Sequence, residues 1–75
     1  MKYEMIREIF NKCSGNQMRD VFVREIECDD TGEYLKQFLV GGEITCEKMP
    51  DKNGTVIYDV VIDGLRQRFS FTGAD

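Results

Sequence analysis

The chain of 75 residues carries 14 acidic and 10 basic side chains, and 41% of its residues are hydrophobic. A chain of this length buries only about 60 to 65% of the surface that it exposes when unfolded, so we expect one small globular domain over residues 1–75 without a large ligand pocket. The net charge of -4 opposes phosphate backbones at long range, which makes nucleic acid an unfavourable partner.

The residue types that are missing or scarce also limit the chemistry. The sequence contains no histidine, which removes the usual general base near neutral pH and the commonest metal ligand. Its three cysteines are widely spaced, unlike a secreted disulfide framework or the close pairs of a zinc site. No apolar run approaches the roughly 20 residues that span a bilayer, and the first residues are charged where a signal peptide is apolar. We therefore expect a cytoplasmic protein that is not an enzyme and uses no membrane, cofactor or metal.

The first predicted element is an amphipathic helix over residues 2–13. Its apolar residues recur at three- and four-residue spacing, with adjacent pairs such as Met5-Ile6 that fit a helical period. Gly15 would end this helix. A strand over residues 1–10 is the alternative, because some of the apolar residues there also alternate.

A strand and a second helix follow. Residues 18–28 are rich in Val, Phe and Ile, which favours a strand. Asp30 and Glu33 form an acidic start signal before apolar residues at helical spacing, so we expect a short helix from about Thr31 to Val40. Gly41-Gly42 would end it.

The strongest local signal is Asp63-Gly64, because Asp-Gly between apolar flanks is typical of a two-residue β-hairpin turn. Pairing outward from this turn directs Phe69 and Phe71 to the core, together with the apolar residues opposite them. The alternate positions then form an outer face with both polar and apolar residues. The last third of the chain is therefore predicted to be a hairpin of fixed register.

A further strand over residues 43–49 would extend this hairpin into a meander. Ile44 faces the core only if it lies opposite Ile62, and this parity requires a loop with an odd number of residues. Residues 52–54 supply a three-residue loop, with Gly54 at the last position, where such loops adopt the left-handed conformation.

Together the predicted elements give an α+β fold with the order α-β-α-β-β-β. The expected architecture is a four-stranded, mostly antiparallel sheet whose last three strands form the meander, with both helices packed on one face. The other face of the sheet would stay open to a partner.

This open face carries the candidate binding site. It combines an apolar strip with charged neighbours, a composition found in many protein interfaces. The candidate residues are Met49, Ile57, Asp59, Val61, Arg66 and Arg68. They suggest a small non-catalytic interaction or regulatory module that binds a protein through the open face or an edge strand, self-association as a homodimer being one form. Scattered apolar residues on such a face are also normal and need no function.

Two other functions stay open on the sequence alone. Arg66 and Arg68, with nearby Lys48, would suit a weak nucleic-acid-binding domain, but the aromatic residues of the same strand are expected on the opposite face. The cysteines would suit a thiol-based metal or redox protein, although Cys28 and Cys46 are expected to be buried and unreactive.

Overall fold

The computed structural model describes residues 1–13, 16–50 and 54–73, and the side chains of all of these except residues 11–13 and 16–19. The strands are β1 (Lys2–Cys13), β2 (Asn16–Glu27), β3 (Ile44–Lys48), β4 (Thr55–Ile62) and β5 (Leu65–Gly73). A helical segment between β2 and β3 consists of α1 (Thr31–Leu35) and a turn of 3₁₀ helix (Lys36–Phe38).

All five strands form one antiparallel sheet in the order β2-β1-β5-β4-β3. β5 is therefore the central strand, and β2 and β3 are the edges. The expected four-stranded sheet with two helices is wrong, because the first predicted helix is the strand β1. The order within the described residues is β-β-α-β-β-β, in which α stands for the short helical segment between β2 and β3.

The pattern of β1 resembles a helix because this inner strand carries apolar residues on both faces. Tyr3 and Met5 point to the same face as Arg7, while Ile6 and Phe10 point to the other. An arginine at a core-facing position interrupts the alternation of polar and apolar residues that identifies a strand. Hydrogen bonding to β2 on one side and β5 on the other then decides the conformation.

β1 and β2 pair without interruption from Lys2 and Glu27 to Cys13 and Asn16. β2 thus covers most of the strand predicted over residues 18–28. In the sequence only two residues separate the two strands. The glycine predicted to end the first helix is one of them, and it lies outside the described residues.

The C-terminal hairpin has the predicted register, which starts with Ile62 opposite Leu65 and continues along both strands. Asp63 and Gly64 have φ angles of 50° and 84°. Positive φ at both central residues is what a type I′ turn requires, so the predicted two-residue turn is confirmed.

β3 joins β4 with the predicted parity, since Ile44 lies opposite Ile62. Gly54 has a φ of 77°, in the left-handed region predicted for the last residue of the connecting loop. Residues 51–53, which make up the rest of that connection, lie outside the described residues.

The core lies between one face of the sheet and the helical segment. Phe69 and Phe71 are both 0% exposed, as predicted, and Leu35 of α1 is buried against them. Tyr34 packs edge-on against Phe71 at 6.1 Å between ring centroids, and Phe38 lies 5.2 Å from Phe69. Each large apolar side chain buried in this way stabilises the fold by roughly 1.5–3 kcal/mol.

The helical segment begins where the sequence predicts and ends earlier than expected. Asp30 Oδ1 accepts hydrogen bonds from the backbone N–H of Gly32 at 2.8 Å and of Glu33 at 3.2 Å. The Glu33 carboxylate accepts from Lys36 instead of completing a capping box. No helix in the described residues is long and apolar enough to cross a membrane.

Two polar contacts attach the helical segment and the loop after it to the sheet. The buried hydroxyl groups of Thr31 and Tyr58 form a hydrogen bond of 2.9 Å. The Asp63 carboxylate accepts from the backbone N–H of Gly42 at 3.2 Å and of Glu43 at 2.9 Å. These contacts hold the helical segment over one face of the sheet and leave the other face uncovered.

Candidate functional site

The sheet face that points away from the helical segment is the open face. Within the described parts of the chain, no helix or strand packs on it. All the residues predicted for the site lie there, on neighbouring strands or directly after one: Met49, Ile57, Asp59, Val61, Arg66 and Arg68. The register predicted from the hairpin turn is what brings them together.

Asp59 organises the charged part of this face by binding both arginines. Arg68 Nε donates to Asp59 Oδ1 at 3.1 Å, and Arg66 Nη2 lies 3.8 Å from the same oxygen. The Arg66 guanidinium also lies over the ring of Phe10, 5.1 Å from its centroid. Both arginines are thus held by contacts within the chain.

An apolar row crosses the sheet beside this charged cluster. It consists of Val23, Ile6, Ile57 and Met49, with Ser70 between the two isoleucines. The backbone N–H of Met49 donates to the carbonyl of Ile57 at 2.8 Å, which extends the predicted pairing beyond the end of β3. The apolar row therefore reaches from one edge of the sheet to the other.

The part of the open face that β1 and β2 supply was not predicted. Ile6, Phe10 and Val23 belong to it, and the first of these strands was predicted as a helix. Ser14-Gly15 is a general turn signal that fits the end of a helix as well as a hairpin, so it did not reveal them.

Carboxylates surround the apolar row and the arginines. Glu4 lies directly opposite Glu25 on the open face, and Glu47 lies opposite Asp59. Like charges at opposite positions repel each other, so Glu4 and Glu25 favour a cationic group from outside, whereas Asp59 is already paired with the two arginines. The open face as described is an apolar surface with an acidic border.

The cysteines do not form a metal site in the described residues, where no group of three or more Cys, Asp or Glu could hold a metal ion. Cys28 is half-buried and Cys46 is exposed, so the expected burial of Cys46 is wrong. Cys46 faces the core side but lies on an edge strand that the helical segment does not cover. Partial desolvation raises the pKa of the Cys46 thiol, which reduces its thiolate fraction at neutral pH.

A shallow depression of about 190 Å³ lies at one end of the β1–β2 hairpin. Lys2, Glu25, Ile26 and Glu27 line it. Small-molecule sites usually enclose roughly 300–1,000 Å³ and bury most of their ligand. This depression therefore gives little support to an enzyme or a small-molecule receptor.

Comparison with protein-family models, with curated proteins and with solved structures found no match to this chain. No residue role is therefore taken from a relative. The geometry and charge of the open face are therefore the guide to function.

Proposed function

We propose that this chain is a small protein-interaction or regulatory module without catalytic activity, which binds a protein partner through its open face. The observation that carries the proposal is the apolar row, which crosses the whole sheet on its uncovered side beside two arginines. A partner that covered the row would remove apolar surface from water at about 25 cal/mol per Å².

The arginines favour a protein partner because they are already held in place. Arg66 is held by Asp59 and by the ring of Phe10, and Arg68 by Asp59. Side chains that are ordered before binding lose less conformational entropy on association. Arginine and methionine are also enriched in protein interfaces.

The acidic border favours a basic partner. Glu4, Glu25 and Glu47 surround the apolar row, so a partner with an apolar strip between Lys or Arg residues would complement it. A cytoplasmic location is part of the proposal, since an exposed free thiol such as Cys46 suits a reducing compartment.

Site-specific photo-crosslinking tests this proposal. A benzophenone amino acid is placed at Ile57 on the open face or, as a control, at Val40, an exposed apolar residue in the loop after the helical segment. In lysate of the native host, position 57 should yield discrete protein adducts that excess unmodified protein competes away. Equal adducts at positions 57 and 40, or none at position 57, would contradict the proposal. Circular dichroism checks that both variants are folded.

A weak nucleic-acid-binding domain is the second candidate, because one observation favours it. Phe69 and Phe71 face the core as expected, but Phe10 lies on the open face under Arg66. Sheet-based RNA binders stack bases on exposed aromatic rings beside cations. Titration with single-stranded RNA at low salt, followed by amide shifts at Arg66 and Arg68, tests this candidate; shifts that fade with added salt would support it.

A further inference from the structure

The two edges of the sheet differ in length and in composition. β3 has 5 residues and carries Glu47 and Lys48, and short charged edges resist pairing with another chain. β2 has 12 residues, and at its centre Val21, Phe22 and Val23 are 49%, 54% and 63% exposed. The long edge thus presents apolar side chains on both faces of the sheet, which is the pattern that β-strand addition uses.

The hydrogen bonds of the hairpin show which backbone groups of β2 point away from the sheet. The N–H of Cys28 donates to the carbonyl of Met1 at 3.0 Å, and the one-to-one pairing of β1 with β2 continues from there without a bulge. Alternate residues of a strand direct their backbone groups to opposite sides. Even-numbered residues of β2 therefore face β1, and Val21 and Val23 direct their N–H and C=O groups to the free edge.

We propose that a second copy of this chain pairs with this edge, antiparallel, about a two-fold axis that passes beside Phe22. In this register Val21 of each copy lies opposite Val23 of the other, so their outward backbone groups bond reciprocally. The two Phe22 rings meet across the axis on the core side of the sheet. The merged sheet has ten strands, with β3 at each outer end.

Charge complementarity selects this register from its neighbours. Asp20 and Arg24 lie two positions either side of Phe22, so each aspartate meets the arginine of the other copy. Only alternate residues of β2 direct their backbone N–H and C=O groups to the free edge. Other possible registers therefore differ from this one by steps of two residues. A shift of two in one direction places Asp20 against the Phe22 ring, and a shift in the other direction places Arg24 there. Only the central register pairs ring with ring and opposite charges together.

The dimer uses the backbone edge of β2 and the core side of the sheet at Phe22, whereas the proposed partner site lies on the open face, centred on Ile57 and Asp59, and shares only its border with β2. The two proposals therefore stand or fall separately. The dimer is tested on purified chain alone, and the partner proposal requires a second protein.

Sedimentation equilibrium of charge-swapped variants tests the dimer. Asp20→Arg and Arg24→Asp each create two like-charge pairs per dimer, so each should raise the dimer dissociation constant at least about tenfold. The double variant D20R/R24D restores both opposite-charge pairs and the original net charge, and its dissociation constant should return to within about threefold of the unmodified chain. Residues 20 and 24 of one chain are about 13 Å apart along the strand, so this recovery reports a contact between copies.

Two further variants separate pairing from general effects. Val23→Pro removes an outward N–H at an edge position that tolerates proline, and it should abolish the dimer without loss of the strand signal in circular dichroism. Lys36→Asp changes the net charge as Arg24→Asp does, but on the exposed side of the helical segment, and should leave the dissociation constant unchanged. The proposal is overturned if the chain sediments as a monomer at concentrations up to about 500 μM, far above the dissociation constants of specific dimers. The proposal is also overturned if the double variant D20R/R24D dimerises no better than the single variants.

Discussion

Arg7 donates two hydrogen bonds to the side-chain oxygen of the buried Gln67, from Nε at 3.1 Å and from Nη2 at 2.9 Å. The same guanidinium lies 5.1 Å from the ring centroid of Phe38 and 5.4 Å from that of Phe69. β1 therefore contributes a cation to the helix-covered side of the sheet, and aromatic faces and an amide oxygen accommodate it.

Loss of the Arg7 guanidinium should destabilise the fold because it leaves the Gln67 oxygen buried without a donor. We expect Arg7→Met to lower the free energy of unfolding by about 1–3 kcal/mol in urea titrations. Arg7→Lys should recover only part of this, since an ammonium lacks the planar fork. The double variant R7M/Q67L should cost less than the two single changes added together. Additive costs would show that the two side chains do not stabilise each other.

The central aromatic residue Phe71 should be indispensable. It is completely buried and packs edge-on against Tyr3, Tyr34 and Tyr58, so Phe71→Ala should cost about 3–5 kcal/mol. That is a large part of the total free energy of unfolding expected for a chain of this size. Val40→Ala, at an exposed position, is the matched control and should change stability by less than about 0.5 kcal/mol. Comparable losses in the two variants would be inconsistent with the core as described.

The buried hydrogen bond between Thr31 and Tyr58 should contribute to the attachment of the helical segment. Each of Thr31→Val and Tyr58→Phe removes one partner and should cost about 1–2 kcal/mol, because the other hydroxyl stays buried. The double variant T31V/Y58F should be no less stable than either single variant. Hydrogen exchange of the α1 amides should accelerate in the single variants, and unchanged exchange would contradict this role.

Asp63 should make the loop before β3 sensitive to acid. Backbone hydrogen bonds from Glu43 and Gly42 lower the pKa of the Asp63 carboxyl below its ordinary value of 3.8. A lowered folded-state pKa stabilises the fold above the unfolded-state pKa, and this stabilisation is lost as the pH falls through the folded-state value. Thermal unfolding of the unmodified chain should therefore show an extra loss of stability below pH 3.8. Asparagine also tolerates positive φ, so the Asp63→Asn variant should keep the turn but should not show the extra loss of stability below pH 3.8.

Asp59 should restrain the two arginines of the open face. Asp59→Asn removes the ion pairs with Arg66 and Arg68, and we expect it to cost less than about 1 kcal/mol because the pairs are partly exposed. The released guanidinium groups should raise the affinity for single-stranded RNA at low salt, measured by fluorescence anisotropy. Glu33→Gln, which removes an equal charge from the helical segment, is the control. An equal gain in both variants would point to net charge alone.

The C-terminal half of the sheet could be predicted because its determinants are local. Asp63-Gly64 sets the turn, and alternation along both strands then sets the register, so the positions of Ile57 and Arg68 on one face followed directly. The start of α1 was predictable for the same reason, from Asp30 as its N-cap.

The N-terminal half could not be predicted with the same rules because its conformation depends on distant pairing. Met5 lies opposite Phe71 and Arg7 opposite Phe69, contacts that no local window of the sequence contains. Before these partners are known, apolar residues on both faces of an inner strand fit a helix as well as they fit a strand. The exposure of Cys46 was missed because the edge of the sheet was not known.

The strand order has a consequence for how the molecule comes together. β5 joins two antiparallel pairs, β1 with β2 and β3 with β4, which have no other connection within the sheet. Two-stranded hairpins are marginally stable at best in water, so neither pair is expected to persist before β5 docks between them. Docking brings together segments some sixty positions apart, such as Arg7 and Gln67, and such long-range closure slows folding. We therefore expect cooperative, comparatively slow assembly in which the pairing of β1 with β5 is the committing step.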